Sequence, residues 1–248
     1  MGNKTSSLVE RVVSKIKHDI MAGTLPPGSK LPPERDLAAR FSVSRITIRT
    51  AISKLANLGF VQTMPQSGTI IRDFWNDGSL DLLIDVVSSS EPVDRNILVS
   101  LLDLRKIAEV YAAGRAAQAM NEEDITNLSG IIDAMEAAGN SVTAIIELDY
   151  ALHAYFIRKA GNRVIQLIFN SCKPVYMFYL EFFYRIPDSK ALMFPYYKKL
   201  IEAARTKDGA YASFIMEQLL LAAENAVKMK LDPEQSAIIL RSLLPASE

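Results

Sequence analysis

The chain has one cysteine, two histidines and one tryptophan, no apolar run approaching the length of a bilayer span, and no net charge, with 28 Lys+Arg against 28 Asp+Glu. Each scarcity excludes something. The lone Cys172 rules out an intrachain disulfide and any metal centre built from several cysteines, and it fits a reducing compartment. The segment MGNKTSSLVERVV has no apolar core followed by a small-residue cleavage site, so the expectation is a soluble, cytoplasmic chain with no membrane partner. A Gly-rich phosphate loop, GxSxG and HExxH are all missing, and no histidine can be assigned to Cys172, so the chain does not read as an enzyme.

What the sequence does have is apolar residues, 49% of the total, enough for a sizeable core in one or two domains. The balanced charge is also segregated. Residues 1–74 carry 11 Lys+Arg against 5 Asp+Glu, a net +6, which leaves residues 75–248 at −6. A basic head can neutralise phosphate while an acidic body is repelled by it.

The head centres on residues 31–59, LPPERDLAARFSVSRITIRTAISKLANLG. Pro32 and Pro33 hold the chain extended before residues 34–41 turn helical, and a second helix follows a tight turn. Ser44 is placed to cap that helix by accepting from the amide of Thr47, with Val43 and Ile48 as a hydrophobic staple. Ile48, Ala51, Ile52, Leu55 and Leu58 recur at helical spacing toward a core, which leaves Arg45 and Arg49 one turn apart on another face. This is a helix-turn-helix pattern, whose second helix reads base edges in a DNA major groove from its N-terminal residues. An amphipathic helix precedes it, with Ser7 and Glu10 as a capping box and Gly23 at its end. Two β-prone runs, 60–63 and 69–71, predict a two-stranded wing that has to pack on the helices.

Beyond Asp73 the periods are helical throughout. They predict helices near 79–88, 92–117, 122–138, 142–160, 163–185, 189–206, 208–230 and 233–244, with starts at Glu91-Pro92, at Asn121 with Asp124, and at Asp232-Pro233. The expected fold class is mainly α. Residues 1–74 form an N-terminal winged helix-turn-helix with a small β-wing, and residues 79–248 an antiparallel all-α bundle for effector binding and dimerisation. Between them, residues 75–78 with the only Trp read as a packed junction.

PPGSKLPPER, VSRITIR, the leucine-rich helix end and the QSGT wing tip, in that order, resemble the GntR family of bacterial transcriptional regulators. RDFWNDGSLDLL, LDLRKIAEVYAAGRAA, ELDYALH, KAGN and YYKKLIEAARTKD extend the resemblance over nearly the whole chain to the FadR branch. The junction and the head spacing are most similar to regulators that respond to long-chain acyl-CoA. The resemblance implies a homodimer on a pseudo-palindromic operator in double-stranded DNA, with a small-molecule effector in the bundle altering the spacing of the heads. By position it also implies DNA contacts from Arg35, Ser44, Arg45, Thr47 and Arg49, with Thr47 on phosphate. Gln66, Ser67 and Gly68 at the wing tip would enter the minor groove, although the acyl-CoA-responsive pattern has a histidine beside that glycine. The plainer alternative is that the arginines solvate a helix face and pair with Glu34 or Asp36.

In the bundle, Asp149 and His153 stand four apart on one helical face, a spacing that can bring both to one metal. The resemblance implies that FCD domains, a large part of the FadR branch, use such a pair with two later histidines. Those positions here are Tyr197 and Leu219, so no bound metal is expected, and a buried Asp149–His153 hydrogen bond replaces it. Arg105 takes the position from which the family points an arginine into the effector cavity, the alternative being an ion pair with Asp149 or Asp103. Tyr176, Phe178, Tyr179, Phe182, Phe183 and Tyr184 crowd one helix, and such a stripe reads first as core or dimer surface. The candidate effector set is Arg105, Asp149, His153, Tyr176, Tyr179 and Tyr197. The expected effector is a fatty acyl-CoA or another acyl or carboxylate metabolite, although Leu220, Ala223 and Val227 stand where the acyl-CoA-responsive pattern has small polar contacts. The alternatives are a metal-assisted carboxylate sensor of FCD type and, from another class, a lipid-binding or enzymatic protein carrying a winged helix.

Overall fold

The computed structural model describes residues 2–79, 82–85, 95–139 and 141–230. Its contacts divide the chain into two compact units, Met1–Glu91 and Pro92–Glu248.

The first unit opens with α1 (Gly2–Met21), α2 (Glu34–Phe41) and α3 (Arg45–Leu58), and both earlier helices pack on α3. The apolar stripe of α1, Val12, Val13, Ile16 and Ile20, is buried, as are Leu37, Ile48, Ala51 and Leu55 of the other two. That is the outcome a 3.6-residue period dictates. Helix α1 starts at Gly2, so Ser7 lies within the helix and not at its first position, which corrects the placing of the helix start at Ser7. Helix α3 begins where the sequence places it, with Ser44 Oγ accepting from the Thr47 amide at 3.1 Å. It ends at Gly59, whose φ of 90° is a left-handed conformation that glycine adopts without a Cβ clash.

Strands β1 (Val61–Met64) and β2 (Gly68–Ile71) pair antiparallel with Met64 opposite Gly68. The hairpin gains a third partner from the chain between α1 and α2. Lys30 bridges to Ile70, the Leu31 amide donates to the Thr69 carbonyl, and the Ile71 amide donates to the Ser29 carbonyl. Such support is what a lone two-stranded ribbon lacks. After the wing, α4 (Phe74–Asp77) is a single turn capped by Asp73. Phe74 is buried with its ring 6.0 Å from that of Phe60, whereas Trp75 is 65% exposed. The expectation that the tryptophan packs is therefore corrected, because a single turn offers one inward position and Phe74 fills it. Of the helix predicted over 79–88, residues 82–85 are helical and 80–81 and 86–88 lie outside the described residues.

The second unit contains α5 (Arg95–Ala119), α6 (Glu122–Ala137), α7 (Val142–Lys159), α8 (Arg163–Ser171), α9 (Lys173–Tyr184), α10 (Ser189–Arg205) and α11 (Gly209–Lys230). Helix α7 packs on α5, α6, α8 and α9, which is why it is apolar on more than one face. Helices α5 and α11 approach closely at a pair of glycines. A Cβ on Gly114 would lie 2.4 Å from Ser213 Oγ and 2.9 Å from the Gly209 carbonyl oxygen. The single helix predicted over 163–185 is two, parted at Cys172, because Pro174 at the start of α9 has no amide to continue the hydrogen-bond ladder. Asn121 and Asp124 form the reciprocal capping box that starts α6. The predicted Glu91-Pro92 start and the helix at 233–244 lie outside the described residues. No helix of the described residues is long and apolar enough to cross a membrane.

Candidate functional site

On the first unit the residues singled out for DNA, Thr47 excepted, lie on the outer surface of α2, α3 and the wing. Arg49 is 72% exposed and makes a forked pair with Glu34, Nε to Oε1 at 3.3 Å and Nη2 to Oε2 at 2.9 Å. Arg35 Nε donates to Asp36 Oδ1 at 3.1 Å. The ion pairing that the sequence left open is thus present for both arginines. These pairs stand in water, where they are screened and readily exchanged for another anion. The hydrogen bond from Arg49 holds the Glu34 carboxyl below its ordinary range. Arg45 and Ser44 are exposed at the start of α3. Thr47 is instead buried, with its hydroxyl 2.9 Å from Ser44 Oγ, so Ser44 is the outer member of that pair. At the wing tip Gln66, Ser67 and Gly68 are all exposed, and Gln66 at φ 62° and Gly68 at φ 90° turn the backbone outward between the strands.

On the second unit a buried polar cluster draws on four helices. Arg105 and Glu109 come from α5, Asp149 and His153 from α7, Tyr176 and Tyr184 from α9, and Tyr197 from α10. Arg105 Nε donates to Glu109 Oε1 and its Nη2 to the Tyr176 hydroxyl, each at 2.6 Å. The other oxygen of Glu109 meets His153 Nδ1. His153 Nε2 makes no hydrogen bond but lies 3.5 Å from Asp149 Oδ1. Asp149 in turn accepts from the Tyr197 hydroxyl, which is 3.2 Å from that of Tyr184. Burial opposes the charge on His153, yet Glu109 and Asp149 outweigh it and push the imidazole up to about 9. Burial likewise opposes charge on Glu109, but Arg105 and His153 hold it below the ordinary carboxylate range. Two basic and two acidic side chains therefore face one another with little access to water.

Glu109 is the member that sequence reasoning missed. The ion pair anticipated for Arg105 with Asp149 or Asp103 is made with Glu109, and the hydrogen bond anticipated between Asp149 and His153 is made by Glu109 to the other ring nitrogen. The available signal was the i,i+4 spacing of Arg105 and Glu109 on one helix.

The donor set does not fit the metal that the FCD resemblance implies. Tyr197 and Leu219, the positions that the resemblance assigns to histidines, are both 1% exposed. Tyr197 spends its hydroxyl on Asp149, and Leu219 has nothing to donate. Among the described residues no group of three or more His, Cys, Asp or Glu is arranged to hold a metal ion. Beside the cluster lies a narrow, almost wholly apolar pocket walled by Leu101, Leu104, Ala108, Ile168, Phe169 and Val175, with Arg105, Tyr176 and Tyr179 also on its lining. The candidate effector residues thus fall into two layers. Arg105, Tyr176 and Tyr179 line the pocket, while Asp149, His153 and Tyr197 stand behind it, linked through Glu109.

Comparison with known proteins agrees with this two-part layout. Residues 8–71 match the model described as bacterial regulatory proteins, gntR family, and residues 100–222 match the FCD domain. The fatty acid metabolism regulator protein of Shewanella denitrificans is 29% identical over 195 residues, 78% of this chain and 79% of that one. The HTH-type transcriptional regulator Mce2R of Mycobacterium tuberculosis is 28% identical over 230 residues, 89% of this chain and 92% of that one. The solved structure of Lar, which controls the expression of the Listeria monocytogenes agr system and mediates virulence, has a TM-score of 0.53 at 20% identity. It covers 90% of this chain and 97% of that one, a likeness of fold. A gntR-type winged helix followed by an FCD domain, on a chain similar along most of its length to named regulators, places the protein: it belongs to the GntR family of bacterial transcriptional regulators.

Proposed function

We propose that this regulator binds a pseudo-palindromic operator as a homodimer, and that an acyl or carboxylate metabolite seated beside Arg105 controls that binding. Each α3 would lie in a major groove and each wing tip in the adjacent minor groove. The observation that carries the DNA reading is the exposed face of α3, where Arg45 and Arg49 project from the first turns, with Arg35 exposed on α2. A guanidinium matches guanine O6 and N7 with two parallel donors, and phosphate by charge. Glu34 and Asp36 pair with Arg49 and Arg35 in the free protein and, being solvated, yield them to DNA. Ser44, Thr47, Gln66, Ser67 and Gly68 complete the proposed contacts, Thr47 acting through Ser44.

The effector reading rests on the apolar pocket with a guanidinium in its lining. An aliphatic chain suits its walls. An anionic head reaching Arg105 competes with Glu109, which then relies wholly on His153, and the change reaches α10 through Asp149 and Tyr197. The name of the Shewanella relative supports an acyl compound.

Binding of the purified chain to DNA from upstream of its own gene, measured between about 50 and 200 mM salt, tests the first half; affinity should fall steeply as counterion release is suppressed. Arg45→Ala should remove specific binding with helicity and dimerisation intact, and unchanged affinity would put the wrong face in the groove. Native mass spectrometry of protein purified from its host tests the second half. A co-purified acyl or carboxylate mass supports the pocket, and a stoichiometric metal overturns the reading of the cluster.

A further inference from the structure

The outward face of α3 has one apolar member. Ile46, the second residue of the helix, is 78% exposed, whereas Ile48 and Ile52 of the same helix are 0% and 7% exposed. At 3.6 residues per turn Ile46 falls between Arg49 and Thr50 on the outer face. The other exposed side chains there, Arg45, Arg49, Thr50, Ser53, Lys54 and Asn57, are polar. Its presentation is fixed. Ser44 caps the turn, the Ile46 carbonyl accepts from Thr50 Oγ1 at 3.0 Å, and a β-branched side chain on a helix has little χ1 freedom.

An aliphatic group held rigidly in water beside two guanidiniums has a complement in the major groove, whose edges are otherwise donors and acceptors. That complement is the thymine C5-methyl group. We propose that Ile46 reads a thymine methyl in each half-site, so that specificity at one base pair comes from an apolar contact and not from the arginines. The proposal rests on α3 being the groove helix. It adds a residue that polar patterning of the recognition helix passes over, because helical spacing alone does not distinguish an isoleucine facing out from one facing the core.

The test begins with selection of binding sites from random duplexes by the full-length chain. Each thymine of the selected consensus is then replaced in turn by deoxyuridine, which removes the methyl group and nothing else. One position per half-site should lose about fourfold in affinity, from ~0.8 kcal/mol for one buried carbon. Ile46→Ala, which leaves the buried core untouched, should bind thymine and deoxyuridine equally at that position while keeping preferences elsewhere. A consensus with no methyl-sensitive thymine, or an Ile46→Ala protein that keeps the full deoxyuridine penalty, overturns the assignment of Ile46. Failure to enrich any sequence would instead overturn the operator-reading face itself, and Ile46 with it.

Discussion

Two of the arginine–glutamate pairs in the molecule stand in opposite settings. Arg49 and Glu34 on the head are 72% and 36% exposed, while Arg105 and Glu109 in the bundle are 10% and 1% exposed. Water competes for every hydrogen bond of the first pair, so its partners are held loosely and can be traded for DNA phosphate or a base edge. The second pair has no such competitor. Its charges are committed to one another and to His153, and removing one leaves the others stranded in a medium that solvates them poorly. The same two residue types therefore serve a contact open to exchange with water and DNA in one place and a cluster shielded from water in the other, and burial decides which.

Breaking the buried pair should have the largest effect. Glu109→Gln removes the carboxylate shared by Arg105 and His153 and should cost roughly 3–5 kcal/mol of stability, read from urea unfolding of the bundle signal. A loss under about 1 kcal/mol would mean that water reaches the cluster and that the contrast with Arg49 is false. Gly114→Ala asks whether the α5–α11 approach is set by backbone proximity. The added methyl would meet Ser213 Oγ and the Gly209 carbonyl oxygen, and overpacking of this kind costs about 1–3 kcal/mol. An unchanged midpoint would show that the two helices part without penalty.

The pH dependence of stability should separate the buried network from the exposed one. The folded value of His153, about 9, lies above its ordinary 6.5. Its contribution is thus full below about pH 6.5 and lost as pH rises through 9, and Glu109→Gln should abolish most of that alkaline limb. At the other end, burial opposes charge on Asp124, but Lys159, the Asn121 amide and the Tyr155 hydroxyl hold it down to about 2 from 3.8. Its contribution is present above about pH 4 and lost as pH falls through 2. A melting temperature flat from pH 6 to 9.5 would contradict the charged imidazole. The smallest effect should come from Glu34→Gln, which ought to leave the melting temperature unchanged and tighten DNA binding slightly by removing a carboxylate near phosphate. A large loss of stability there would make the exposed pair structural.

Much of the head was legible in the sequence because its signals are local. A cap at Ser44, a stop at Gly59 and a run of apolar residues at 3.6 spacing each specify their own few residues, and they place α3 within a residue. The exposed arginines follow from the same pattern, being what remains when the core positions are assigned. Local signals failed where they compete. Ser7 and Glu10 look like a cap, yet α1 continues through them, and the aromatic run hides the break at Cys172 between α8 and α9. The short junction with the only tryptophan reads as packed, whereas the turn at Asp73 gives the inward position to Phe74 and leaves Trp75 at the surface.

The sequence by itself determined the division into a basic winged helix and an apolar helical body, the capped start of α3, and the family to which both belong, because periodicity, capping and motif order are written in neighbouring residues. Only the tertiary structure decided that Glu109 is the partner of both Arg105 and His153, that Tyr197 takes up Asp149, that Arg105 also lines an apolar pocket, and that Ile46 faces water. Those facts join helices dozens of residues apart or turn one side chain out of a core, and they depend on which groups burial brings together and which it leaves to solvent.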